Sequence, residues 1–145
     1  MDTQKINKCN QMIRDLNIEV IDLKCLDLTG KLHHISLPVH DNIMEKLMKE
    51  GVGFDGSSYG FRKVENSDMI LVPDLDTAVV DQFRTAPALS FYTHILQTDE
   101  ARTPFDQDGR FLAKKAEKLL MDVTGADQSL WGPEFEFYIF SKVKY

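Results

Sequence analysis

Two groups of acidic residues occupy positions where acids are not the ordinary choice. The first lies in "GPEFEFYIF", Gly132 to Phe140, where Glu134 and Glu136 interrupt an apolar and aromatic run. Phe135, Phe137, Tyr138, Ile139 and Phe140 are strand formers, and Gly132-Pro133 punctuates a strand start. Side chains alternate faces along a strand, which predicts Glu134, Glu136 and Tyr138 on one side and Phe135, Phe137 and Ile139 on the other. Residues two apart are separated by roughly 6.6–6.8 Å. Two carboxylates so spaced repel unless water solvates them or a cation bridges them. One reading is an edge strand with a solvated acidic face. The other is a hard-metal site for Mg²⁺ or Mn²⁺, whose natural ligands are carboxylate oxygens. Two carboxylates leave such a shell incomplete.

The second group lies in "GVGFDGSSYGF", where Gly51, Gly53, Gly56 and Gly60 surround Asp55, Ser57 and Ser58. The stretch lacks the G-x-G-x-x-G spacing of a dinucleotide fingerprint and the lysine of a Walker loop. Its glycines permit close approach of backbone to a ligand. Asp55 is placed to accept a proton or hold a cation with the serines as donors, or else it belongs to a surface turn with local hydrogen bonds. Asp68, at the start of an apolar run, is a second acid for that site or a strand-start cap. His33, His34, His40 and His94 show no spacing that suggests a metal or a triad, and His94 in its apolar strand is expected as a hydrogen-bonded core residue.

The elements that must position these residues follow from periodicity. Ile6, Cys9, Met12, Ile13 and Leu16 recur at helical spacing and predict a helix from about Thr3 to Leu16. Glu19 to Leu28 is β-rich, "LTGK" is a tight turn, and a second strand follows over Leu32 to Leu37, ended by Pro38. Asp41 is expected to cap a short helix carrying Ile43, Met44, Leu47 and Met48, stopped by Gly51. Met69 to Val72 and Ala88 to Leu96 are further strands. Phe111 to Val123 carries a second amphipathic helix, closed by Thr124-Gly125 and followed by the acidic strand.

Composition narrows the class. Among 145 residues, 43% are hydrophobic and 28% charged, as in a globular protein. The net charge of −6, with no Lys/Arg cluster, argues against a nucleic-acid partner. No run approaches the roughly 20 apolar residues of a membrane span, and the N-terminus has no apolar signal core. Cys9 and Cys25 have no metal-like spacing and are expected reduced and buried, in a cytoplasmic protein.

Two motifs in order carry a family resemblance. "GFDGSSYGFRKVENSDMILVPDLDTA", followed by "EFEFYIF", resembles the N-terminal third of bacterial type I glutamine synthetase, whose pattern is F-D-G-S-S, E-S-D-M, P-D, a helix, then G-P-E-x-E-F. "DGRFLAKKAEKLL" resembles that family's helix entry, with Gly109 where proline is usual. The resemblance implies an α+β fold: a β-grasp (ubiquitin-like) domain over 1–98, then the first helix and strand of an incomplete catalytic domain over 99–145. It implies activation of glutamate by ATP as γ-glutamyl phosphate, which ammonia then attacks to give glutamine. Glu134 and Glu136 match the strand carboxylates that hold two divalent ions, Mg²⁺ or Mn²⁺, with Glu136 serving the ion nearer glutamate and Glu134 the one nearer the ATP phosphates. Asp55 matches the acid that binds ammonium and takes its proton, with Ser58 beside it and Asp68 as a second acid.

The resemblance also implies a homo-oligomeric ring, a dodecamer, in which the N-terminal domain of one subunit completes the active site of its neighbour. The family's remaining metal ligands, arginines and nucleotide contacts have no counterpart here, so the chain is expected to be a fragment, inactive alone. Two other readings fit the same residues: a ligase joining glutamate to another amine, and a non-catalytic β-grasp interaction module.

Overall fold

A computed structural model describes residues 2–144. It divides into two compact units, Met1–Lys114 and Lys115–Tyr145. In the first unit, helix α1 (Thr3–Asp15) opens under an Asp2 cap, whose side chain accepts from the Lys5 amide at 3.2 Å. Its periodic residues Ile6 and Cys9 are buried. Strands β1 (Val20–Leu26) and β2 (Leu32–Pro38) form the expected hairpin, paired from Val20↔Pro38 to Leu26↔Leu32. Helix α2 (Ile43–Lys49) buries Ile43, Met44 and Leu47. Its N-cap is Asn42, in the left-handed region, and not the expected Asp41. The helix stops at Gly51, where φ is +73° and a Cβ would meet the Leu71 carbonyl oxygen at 2.7 Å.

Four strands follow: β3 (Val52–Asp55), β4 (Asp68–Pro73), β5 (Val79–Asp81) and β6 (Ala88–Gln97). The sheet order is β2-β1-β6-β4-β3, with β5 also paired to β6. β1 and β6 run parallel at the centre, from Val20↔Ala88 to Lys24↔Tyr92, and every other pairing is antiparallel. A parallel pair needs a long crossover, and here that crossover contains β2, α2, β3, β4 and β5. The central strands are the most completely buried: Ile21, Leu23, Leu89 and Phe91 have no exposed surface. Asp22 is equally buried, held by the Ser36 hydroxyl at 2.6 Å and the Arg84 guanidinium at 2.7 Å.

The sheet curls. β2 and β3 lie at opposite ends of the strand order, yet Tyr59, just after β3, stacks on His33 of β2 with ring centroids 4.2 Å apart. Only a sheet bent toward closure brings its two edges that near. The loop after β6 completes this unit: Phe105 is buried in the common core, and Arg102 donates to the carbonyls of Lys49 and Glu50 at the end of α2. These ties explain why residues 99–114 join the first unit.

Helix α3 (Gly109–Thr124) matches the predicted second amphipathic helix. The strand expected over 132–140 is not formed among the described residues; the segment has no regular structure. Phe135, Phe137, Tyr138, Ile139 and Phe140 are all exposed. The physical reason is that alternation gives a strand its two faces but not its hydrogen-bond partner, and no described strand pairs with this one.

Candidate functional site

Asp55 is the last residue of β3 and Asp68 the first of β4, and the strand register makes them direct partners. The structure thus brings two of the sequence-selected acids face to face at the sheet's edge, both exposed. Like charges directly opposite one another on a strand pair repel, so the arrangement favours a cation between or beside them.

The backbone turns sharply after Asp55. Gly56–Tyr59 form a single 3₁₀ turn, and Asp55 is its N-cap. Oδ1 of Asp55 accepts from the Ser57 amide at 2.9 Å and the Ser57 hydroxyl at 2.6 Å, and Oδ2 accepts from the Ser58 hydroxyl at 3.0 Å. These donors hold the carboxyl down at about 2, the Ser57 hydroxyl contributing most and the Ser67 hydroxyl next. Gly56 is required here: its amide donates to the Ser67 carbonyl at 2.7 Å, and a Cβ would run into the Met69 sulfur. A polar cavity of about 260 Å³, lined by Arg62, Asn66, Asp68, Gln97, Thr98 and Asp99, opens beside Asp68.

Asp55 and Asp68 are therefore cross-strand neighbours, and Ser58 is bonded to Asp55. The part of Ser67 was not visible in the sequence. Its place opposite Gly56 follows from the β3–β4 register, and "NSD" just before an apolar strand was the available signal.

His94 is half-exposed and not in the core, against expectation. Its alternate position on β6 puts it beside Asp74, whose carboxylate it meets at 3.7 Å and which also takes Arg110 at 2.8 Å and Lys114 at 2.7 Å. Burial pushes the His94 imidazole below its ordinary value, helped by Lys114. Cys9 and Cys25 are free and buried as expected, and burial raises the Cys25 thiol to about 11.

In the second unit Glu134 and Glu136 are exposed. They do not share the face of a paired strand, and no group of three or more metal-ligating side chains exists among the described residues. A hard divalent ion needs about six oxygen ligands. Two solvated carboxylates do not complete such a shell in this chain alone.

The first unit is thus a mixed, curled sheet with its parallel pair at the centre and helices packed on it, the class of a β-grasp domain. Residues 17–98 match the family model described as "Glutamine synthetase, beta-Grasp domain", and the chain belongs to that family. The glutamine synthetase of Pseudomonas aeruginosa is 37% identical over 139 residues, covering 95% of this chain and 29% of that protein. That of Mycolicibacterium smegmatis is 40% identical over 138 residues, covering 93% and 28%. The chain therefore spans less than a third of the length of these relatives. Among solved structures, the cryo-electron-microscopy structure of Plasmodium falciparum glutamine synthetase shares the fold, with TM-score 0.69 at 17% identity over 81% of this chain and 23% of that one.

Proposed function

We propose that the chain is the N-terminal part of a glutamine synthetase, with residues 1–98 as its β-grasp domain and 99–145 as the beginning of its catalytic domain. In that enzyme it contributes to the ATP-dependent joining of ammonia to glutamate, and by itself it is inactive. The observation that carries the reading is the Asp55–Asp68 cross-strand pair with the Ser58 hydroxyl beside it. Two opposed carboxylates at an exposed corner form a receptor for a small cation, and ammonium is the cation such an enzyme must collect.

The electrostatics refine the role of Asp55. A carboxyl held at about 2 is a permanent anion at neutral pH and a poor proton acceptor. Capture of ammonium is the stronger part of its role. Glu134 and Glu136 are this chain's carboxylate donors toward Mg²⁺ or Mn²⁺, and the other ligands, the ATP site and the ring-shaped homo-oligomer belong to the longer protein.

The test uses a chain of the relatives' length that begins with these 145 residues. Asp55→Asn removes a charge-assisted contact worth about 1.5–3 kcal/mol, which predicts a rise of about 10- to 150-fold in KM for ammonia. KM for glutamate and ATP should hold. An unchanged ammonia KM would remove Asp55 from the site, and a preference for methylamine over ammonia would move the reading to another glutamate–amine ligase. The 145-residue chain alone should give no turnover with ATP, glutamate, ammonia and Mg²⁺.

A further inference from the structure

The 3₁₀ turn that carries Ser58 is short, and a 3₁₀ turn has poor internal hydrogen-bond geometry. At its C-terminal end Gly60 donates to the Ser57 carbonyl at 3.1 Å and Phe61 to that of Gly56 at 2.9 Å. Asp55 and Ser58 are exposed, so packing does not fix them directly. Contacts from outside the turn can therefore stabilise the conformation that keeps the serine donors on the carboxylate.

That support comes from across the sheet. Tyr59, the residue after Ser58, stacks on His33 with 23° between the ring planes. Its other neighbours are Phe54, at 5.3 Å between centroids, and Phe61, at 6.2 Å. Phe61 in turn meets the buried Phe105 at 5.4 Å. The tyrosine ring is therefore gripped between an imidazole on β2 and phenyl rings anchored in the core.

His33 is itself fixed. Its Nε2 lies 2.9 Å from Asp27 Oδ2, and both side chains are largely buried. The other oxygen, Oδ1, accepts from the Thr29 amide, the Thr29 hydroxyl and the Lys31 amide, all within 3.0 Å. Asp27 is thus bonded through Oδ1 into the β1–β2 turn and through Oδ2 to β2. These bonds, the one from His33 first, hold its carboxyl far below the ordinary carboxylate range.

We propose that His33, oriented by Asp27, is a positioning residue for the Asp55–Ser58 turn: its stack on Tyr59 keeps the serine donors on the Asp55 carboxylate. The clamp is a property of the free chain. Its consequence for ammonium capture rests on the function proposed above.

The experiment follows the Asp55 carboxyl by carbon-detected NMR titration in the 145-residue chain, together with hydrogen exchange of the 57–60 amides. Wild type should titrate at about 2. His33→Ala should move Asp55 upward by about one unit, toward the ordinary value of ~3.9, and speed the turn's exchange about tenfold. His33→Phe keeps a ring under Tyr59 and should restore both. A residue that merely supports the fold would lower overall stability without moving Asp55 or separating alanine from phenylalanine.

A folded His33→Ala chain with wild-type Asp55 titration and exchange overturns the proposal. Should that variant not fold, as judged by the Leu23 and Phe91 amides, Tyr59→Leu removes the ring on the exposed side. Wild-type behaviour there overturns it equally. The two ideas fail separately. If His33→Ala moves Asp55 but Asp55→Asn leaves the ammonia KM unchanged, the clamp stands and the ammonium reading falls, and the converse result retires the clamp alone.

Discussion

Gly56 is the residue on which the geometry of the candidate site turns, and Gly56→Ala measures how tightly. The added methyl would meet the Met69 sulfur at a distance no real contact shows, and would lie 3.0 Å from the Ser67 carbonyl oxygen, which the Gly56 amide itself binds. Met69 is 1% exposed and cannot swing into solvent. Overpacking of this kind costs about 1–3 kcal/mol. Replacing glycine restricts the unfolded chain and returns about 0.4–1 kcal/mol. The net loss is about 1–2 kcal/mol, or a melting temperature lower by about 4–16 °C for a domain of about 100 residues. The assay is thermal unfolding by circular dichroism, paired with hydrogen exchange at 55–60. Met69→Ala alone should cost about 2–5 kcal/mol, but it empties the space the methyl needs. In the double variant the two losses should therefore add to less than their sum. A Gly56→Ala chain that melts at or above wild type, or strict additivity with Met69→Ala, would refute the steric account of this turn.

Three further outcomes follow from the same structure. Arg84→Met leaves Asp22 buried with only the Ser36 hydroxyl as partner and should cost about 3–5 kcal/mol, whereas Asp22→Leu with Arg84→Met should recover most of that in urea unfolding. The folded value of Asp55 lies below its unfolded one, so its contribution to stability is present above the unfolded value and fades as pH falls through about 2; Ser57→Ala should shrink this acid-limb loss in melts between pH 5 and pH 2. Because Glu134 and Glu136 are solvated and without partner ligands, Mn²⁺ relaxation of the 145-residue chain should show no saturable binding at micromolar metal, and tight binding abolished by Glu136→Ala would contradict the incomplete-shell argument.

Where the sequence was legible, the determinant was local. Ile6 and Cys9 recur at the period of one helix turn, and α1 buries both. Gly51 after Met48 and Lys49 stops a helix because only glycine takes that backbone angle cheaply. The expected Asp41 cap misses by one residue: the cap is Asn42, in the left-handed region and with no side-chain cap bond, so the usual capping chemistry does not mark it. β3 and β5 are too short for alternation to declare them, and only their pairing with β4 and β6 makes them strands. The segment 132–140 is the converse case: its alternation is strong, but a pattern of faces supplies no partner for its N–H and C=O groups.

The candidate site divides along the same line. Residue types singled out Asp55, Ser58 and Asp68, but nothing in their spacing said that Asp55 and Asp68 face each other. That is a consequence of the β3–β4 register, which also sets Ser67 opposite Gly56. His33 has no spacing to the other histidines that suggests chemistry, and histidine spacing carries no signal of its place here. Its partners are a carboxylate in the adjacent turn and a tyrosine that follows the far edge strand, and the second contact exists only because the sheet curls. Curl is the sum of strand twists over the whole sheet and belongs to no residue. A side chain whose work depends on it becomes visible only after the edges have met.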